Sequence, residues 1–180
     1  MELSVDIPSG VEIKADEGRL VVKGPKGEIA KSFEEGALKI KQSDGKIRFS
    51  SLDDRKKSRA IVGTWAAHTE NMIKGVTKGY EARMKIVYSH FPIKLSVDKD
   101  TVTIGNYLGE RGQRSAKIMP GTAVKLDKEH VIVTGVDKEM VGQTAANIEL
   151  ASRVKKRDRR VFQDGVYITH KPEPVGNDKK

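Results

Sequence analysis

The eight residues Arg153-Val-Lys-Lys-Arg-Asp-Arg-Arg160 hold six basic side chains and one acid, a net +5 out of +9 for the 180-residue chain. The other 172 residues hold 28 basic against 24 acidic side chains, so positive charge is concentrated in one place. Such a cluster suits a polyanion. Each cation that neutralises a phosphate releases condensed counterions, which makes binding strong and salt-sensitive. Arg offers bidentate contacts to phosphate, and Lys acts as a point charge. Helical continuation through Arg153–Arg160 would spread the charges over several faces, whereas an extended path would let alternate side chains grip a backbone. A solvated charge run is the plainer alternative. Arg111-Gly-Gln-Arg114, with Lys117 close by, is a second basic group, either a surface loop or an RNA contact, and Gly112 would allow close approach. For base stacking the best candidate is Tyr107 in its glycine-flanked loop, while Phe162 reads as a packing residue. This balance favours recognition of backbone and shape over base-specific reading.

Other chemistry finds little support. His68, His90, His130 and His170 show no metal-ligand spacing, and the absence of Cys removes disulfides, thiolate zinc sites and cysteine nucleophiles. Gly24-Pro-Lys-Gly27 resembles a piece of a phosphate-gripping loop but lacks its length, its Lys-Ser/Thr ending and a following helix, so it reads as a turn between strands. Gly105-Asn-Tyr-Leu-Gly109 has the same reading. Asp53-Asp54 reads as a helix cap followed by a first-turn acid rather than a catalytic pair. The expectation is no enzyme, no cofactor, no metal and no small-molecule substrate. No apolar run approaches the ~20 residues of a membrane-spanning helix. The N-terminus has neither a basic nor an apolar signal region, so a cytoplasmic location is expected.

The elements that must position the basic residues come from a repeat. Val11–Lys23 aligns without gaps on Ile93–Gly105 at an offset of 82, each half reading as a hairpin, and Gly27-Glu28 meets Gly109-Glu110 at the same offset. Further on, Ile47–Asp53 meets Val131–Asp137, in both cases a strand ending in an Asp placed as N-cap of a helix. The first helix is expected over about 54–74 with stripe Ile61, Val62, Trp65, Ala66, Met72, Ile73 and Gly75 as C-cap. The second is expected over about 138–152 with stripe Val141, Ala145, Ile148, Ala151. Glu81–Tyr88 reads as the strand opening the second half, and its sheet partner is left open. Asp164-Gly165 reads as a turn between apolar segments. The predicted fold is α+β: two similar tandem domains from internal duplication, each a small, mainly antiparallel sheet packed on one helix. The expected domains are 1–76, an RNA-binding 77–170, and a flexible tail over 171–180. Residues 1–75 carry 14 basic and 12 acidic side chains, against 20 and 13 over 76–180, so the second half should do most of the binding.

Three motifs carry a resemblance across nearly the whole chain. Asp137-Lys-Glu-Met-Val-Gly-Gln-Thr-Ala-Ala-Asn-Ile148, Ile7-Pro-Ser-Gly-Val-Glu-Ile13 with Val22-Lys-Gly-Pro-Lys-Gly-Glu-Ile29, and Arg159-Arg-Val-Phe-Gln-Asp-Gly-Val-Tyr-Ile168 resemble segments of the universal large-subunit ribosomal protein six family. The last looks like the archaeal and eukaryotic ending, and the bacterial Glu-Pro-Tyr-Lys-Gly-Lys-Gly string is absent. The resemblance implies a structural, non-enzymatic constituent of the large ribosomal subunit. It would bind the 3′ domain of large-subunit rRNA near the sarcin–ricin loop and factor-binding region, mainly through its second domain, with neighbouring large-subunit proteins as partners. The RNA-binding residues it implies are Lys138, Gly142, Gln143 and Asn147, extended by Arg153, Lys155, Lys156, Arg157, Arg159 and Arg160. Arg111 and Arg114 join them from the charge pattern. Gln143 and Asn147 also have a reading as helix-surface or capping residues. A non-ribosomal RNA- or DNA-binding module with the same duplicated fold is the rival expectation.

Overall fold

The computed structural model describes residues 2–16, 18–33, 38–43, 45–51, 53 and 55–176. The chain divides into two units, Met1–Gly79 and Tyr80–Lys180.

In the first unit, β1 (Glu2–Asp6), β2 (Glu12–Asp16), β3 (Arg19–Gly24), β4 (Gly27–Ser32), β5 (Leu38–Ser43) and β6 (Lys46–Ser51) precede α1 (Lys56–Lys78). They form two antiparallel sheets ordered β1-β6-β5 and β2-β3-β4. Period-two alternation sends Leu20, Val22, Ile47 and Phe49 fully inside. On α1, Val62, Ala66, Thr69, Ile73 and Val76 recur three or four residues apart as one buried stripe. The Thr69 hydroxyl is made tolerable there by donating to Trp65 O at 2.8 Å.

Both ends of α1 differ from the expectation. The helix starts at Lys56, with Arg55 at the N-cap making no side-chain cap bond. Asp53 acts one step earlier: its carboxylate takes the Arg55 N–H at 3.2 Å. A bond from Ser58, then that Arg55 contact, holds its carboxyl below the ordinary value. Asp54 lies outside the described residues. At the far end Gly75 is buried inside the helix, and Gly79, at φ 74°, is the C-cap. Val76 is fully buried, so its apolar contacts carry the helix one turn further.

Gly24-Pro25-Lys26-Gly27 is a strand-to-strand turn docked on the end of α1. The Lys26 N–H donates to Val76 O at 2.9 Å, and its ammonium donates to Lys78 O. A phosphate cradle presents N–H groups at a helix N-terminus. This turn meets a C-terminus, whose carbonyls attract a cation and repel an anion. A Cβ on Gly24 would stand 2.6 Å from Val76 Cγ2 and 3.0 Å from Val76 O. Gly24→Ala is therefore expected to destabilise the first unit by about 1–3 kcal/mol. Hydrogen exchange on the intact chain should show faster amides in β3 and α1 and unchanged ones in the second unit.

The second unit repeats the plan with β7 (Tyr80–Val87), β8 (Lys94–Val97), β9 (Thr101–Gly105), β10 (Arg114–Lys117), β11 (Thr122–Asp127), β12 (His130–Gly135) and α2 (Lys138–Ala151), and adds β13 (Gly165–Pro174). Its sheets are ordered β11-β12-β7-β13 and β10-β9-β8. The duplication shows in the registers. Ala15 pairs with Leu20 as Val97 pairs with Val102, and Gln42 pairs with Ile47 as Leu126 pairs with Val131. The Gly27-Glu28 to Gly109-Glu110 match does not carry over. Leu20 pairs with Lys31 but Val102 with Ala116, so three extra residues widen the second turn into the loop 106–113.

β7 pairs with β12 and β13 inside the second unit, which settles its partner. Tyr80, Ala82, Met84 and Ile86 face inward, against Val131 and Val133 of β12 and Val141, Ala145 and Ile148 of α2. α2 begins as the sequence predicts: the Asp137 carboxylate accepts the Glu139 N–H at 2.9 Å, a cap worth about 1 kcal/mol. Asp164-Gly165 is not a hairpin turn; Gly165 opens β13 and Asp164 is buried. β13 continues to Pro174, so residues 171–174 of the expected tail are strand, with Glu173 against Glu81, while 177–180 lie outside the described residues. No helix among the described residues is long and apolar enough to cross a membrane.

Candidate nucleic-acid interface

The basic octet follows α2 as an irregular loop, neither helical nor extended. Its first anchor is Ser152, buried at the helix end, whose hydroxyl accepts the Val166 N–H at 2.9 Å and donates to Glu149 O at 3.0 Å. Val154 is the second, packed in the core. At Lys156 the chain takes a left-handed turn, φ 58°. Asp158 is the third: its carboxylate accepts the Arg160 N–H at 2.9 Å, and its carbonyl accepts from Val161 and Phe162 at 3.1 and 2.9 Å. Phe162 packs on the core beneath the Arg157 guanidinium, 5.0 Å from the ring centroid. Between these anchors Arg153, Lys155, Lys156, Arg157, Arg159 and Arg160 are all exposed. Arg160 also forks onto Asp158 at 3.1 and 3.3 Å, which holds that carboxyl below its ordinary value. Arg153 and Arg159 border a cavity of about 290 Å³ walled by Glu149, Leu150 and Tyr167.

The loop 106–113 lies beside the octet but divides the two arginines expected to work together. Arg111 is exposed, at the edge of a cavity of about 250 Å³ shared with Lys94 and Gln113. Arg114 is an internal strut. Its side chain is 16% exposed, it forks onto Glu110 at 2.6 and 2.9 Å, and it donates to Ala151 O at 3.2 Å and Arg153 O at 2.8 Å. It thereby satisfies a carbonyl at the C-terminus of α2, where a cation is favourable. Its guanidinium lies 4.0 Å from the Tyr107 ring centroid. Tyr107, the expected stacking residue, is fully buried and donates its hydroxyl to Asp164 O at 2.8 Å. Burial pushes its phenol up to about 12, so it remains a donor. Tyr107 is thus closed to stacking, and the Arg114 guanidinium is largely engaged by protein acceptors.

Arg114 holds the Glu110 carboxyl below its ordinary 4.5, with Arg157 and Lys155 adding to the effect. Arg114→Leu would strand two carbonyls and an acid. The expected loss is about 1–3 kcal/mol at neutral pH, with the Glu110 share discounted because solvent reaches it. A lowered carboxyl stabilises the fold above its unfolded value and loses that contribution as pH falls through the folded one. The difference between variant and parent in denaturant unfolding should therefore shrink below pH 4.5. An equal loss at all pH values would remove the Glu110 pair from the account.

The sequence profile of the family described as Ribosomal protein L6 matches residues 7–79 and again 91–165, one match in each unit. The chain is 49% identical over 173 residues to the large ribosomal subunit protein uL6 of Methanospirillum hungatei, covering 96% of this chain and 98% of that one. It is 48% identical over 168 residues to the uL6 of Methanocella arvoryzae, covering 93% and 95%. The uL6 of Methanothrix thermoacetophila is 47% identical over 167 residues, covering 93% and 95%. The chain belongs to the ribosomal protein L6 family. As a member of this family of ribosomal proteins it is not an enzyme.

The L6 motif on α2 is placed less compactly than the sequence implies. Lys138 is exposed at the helix start, 5.9 Å from the Tyr80 ring centroid, and the octet follows the helix end. A 14-residue helix is about 21 Å long, so the two stand at opposite ends of it. Between them Asn147 donates to Lys117 O at 2.9 Å and accepts from Gln143 at 2.8 Å. That pair ties α2 to β10, in keeping with their helix-surface reading. Gly142 does permit close approach, but to Pro172 of β13, 3.4 Å from where a Cβ would sit. What the structure brings to the octet is the end of the 106–113 loop, through Glu110 beside Arg157 and Lys155 and through Arg114 on Arg153 O, while Arg111 lies on the same loop.

Sequence reasoning also passed over the β7–β8 loop, where Tyr88, His90 and Phe91 are exposed. Ser89 Oγ donates to Asp164 Oδ1 at 2.8 Å, Asn106 Nδ2 donates to Pro92 O at 3.1 Å, and a Cβ on Gly109 would stand 3.2 Å from the Phe91 ring. Three loops, 88–93, 106–113 and 153–164, thus meet at one end of the unit. The signal was present: Tyr-Ser-His-Phe-Pro places three rings in the connection after a strand.

Proposed function

We propose that this L6-family chain is a structural constituent of the large ribosomal subunit that clamps large-subunit rRNA, mainly through its second unit. The site proposed is the 3′ domain near the sarcin–ricin loop and the factor-binding region, with neighbouring large-subunit proteins as further partners and the cytoplasmic ribosome as location. The observation that carries the reading is the octet. Six cations are held outward on a loop whose path is fixed by Ser152, Val154, Asp158 and Phe162. A loop ordered in advance loses little conformational entropy on binding. Residues Arg111, Arg153, Lys155, Lys156, Arg157, Arg159 and Arg160 form the principal phosphate-binding surface, with Lys138 as a separate contact about one helix length away. Gly142, Gln143 and Asn147 serve chiefly to set α2 against β13 and β10.

The test is sucrose-gradient sedimentation of cell lysate at low and at high salt, followed by hydroxyl-radical footprinting of rRNA in large subunits with and without the protein. Cofractionation with the large subunit at moderate salt, and protection in the 3′ domain, are expected. Migration as a free small protein at both salt concentrations would move the chain to a nucleic-acid-binding role outside the ribosome.

A further inference from the structure

The chain has nine Phe, Tyr and Trp residues, and three of them, Tyr88, Phe91 and Tyr167, are exposed. All three lie in the second unit, on or beside the converging loops. Tyr88 is 44% and Phe91 40% exposed, whereas Tyr107 on the neighbouring loop is completely buried. Leaving two rings in water on one short loop forgoes the burial that makes aromatic residues useful in a core. The loop is also rigidly seated. Ser89 is tied to Asp164, Pro92 O to Asn106, and the Phe91 ring rests where Gly109 lacks a Cβ. His90 meets Phe91 edge to face, 4.7 Å between centroids.

The charge beside the rings selects the partner. Gly109 adjoins Glu110, and Arg157 and Lys155 lie close enough to Glu110 to lower its carboxyl. Tyr167 borders the cavity that holds Arg153 and Arg159. Rings interleaved with cations are how unpaired nucleotides are held: the cations take the phosphates and the rings take the bases.

We infer that Tyr88 and Phe91 form a stacking platform for unpaired bases of the RNA whose phosphates the octet holds. The inference rests on the rRNA reading above and adds base contacts to it. A stack releases no counterions, so its loss should weaken binding without changing the salt slope.

The experiment uses the intact chain and a transcript of the 3′ domain of large-subunit rRNA. Ultraviolet irradiation of the complex, then trypsin and mass spectrometry, should give a nucleotide adduct on the peptide Ile86–Lys94. Tyr88→Leu and Phe91→Leu should each lower affinity about tenfold at constant salt slope. Tyr88→Trp and Phe91→Trp should restore it, because any flat ring stacks. Should Phe91→Leu disturb its seat on Gly109, Tyr88→Leu and the adduct decide the matter. Unchanged affinity with adducts confined to residues 153–160 would overturn the platform, leave the phosphate clamp standing and assign the rings to a protein neighbour. No binding by the unaltered chain would remove the rRNA reading and the platform with it.

Discussion

Replacing Arg157, Arg159 and Arg160 together by alanine is expected to cut affinity for the 3′-domain transcript by roughly 100- to 500-fold near 0.1 M salt. Each phosphate contact contributes about 0.7–0.9 to the slope of log affinity against log salt, hence about five- to eightfold between 1 M and 0.1 M. Three contacts multiply to that range, and the slope should fall by about 2–2.7. This is an upper bound, because Arg160 also serves Asp158. The bond from the Arg160 backbone to Asp158 survives the substitution, so the turn is kept while the carboxylate loses its side-chain partner. Asp158→Asn separates the two roles. Its amide oxygen still accepts the Arg160 N–H, but the acid is gone and Arg160 is released toward RNA. Affinity should rise and the slope should steepen. Filter binding across a salt series reads both variants. An unchanged slope in the triple variant would mean that these side chains are merely solvated.

The octet was legible because nothing long-range is needed to expose six cations. The same holds for α2, whose cap, stripe and length all reside in residues 137–152. The duplication was legible from residue matches at offsets of 82 and 84, which the strand registers repeat. What failed depended on partners far along the chain. Arg111 and Arg114 look alike in sequence, yet only Arg114 reaches carbonyls 37 and 39 residues away. Tyr107, the expected stacking residue in a glycine-flanked loop, is buried because it finds Asp164 57 residues on. Asp164 itself reads as a turn residue until Ser89, 75 residues back, occupies its carboxylate. α1 overran Gly75 because a buried Val76 outweighs a glycine's readiness to end a helix. In each case a tertiary contact won over a local preference.

Those corrections determine how the largest effect should be tested, the division of binding between the two units. Residues 1–79 hold 15 basic and 12 acidic side chains, and 80–180 hold 19 and 13. A hollow of about 540 Å³ in the first unit is lined by Glu12 and Lys23 with Ser9, Val11 and Pro25, so its charges cancel. The second unit carries the octet, Arg111 and the exposed rings. Residues 80–180 alone should bind the transcript within about tenfold of the intact chain, and 1–79 should bind no better than the micromolar-or-weaker background of a non-specific protein. The cut must fall between Gly79 and Tyr80. A first piece ending at residue 75 would lose Val76, fully buried under the β3–β4 turn, and the Lys78 carbonyl that Lys26 caps. Its failure to bind would then report unfolding rather than function. A second piece must keep Tyr80, which pairs with Gly135 on one side and Pro174 on the other. With both pieces folded by circular dichroism, equal affinity would mean that the octet is not the principal clamp. Binding by 80–180 alone would assign the clamp to the second unit and leave the near-neutral first unit free to face protein.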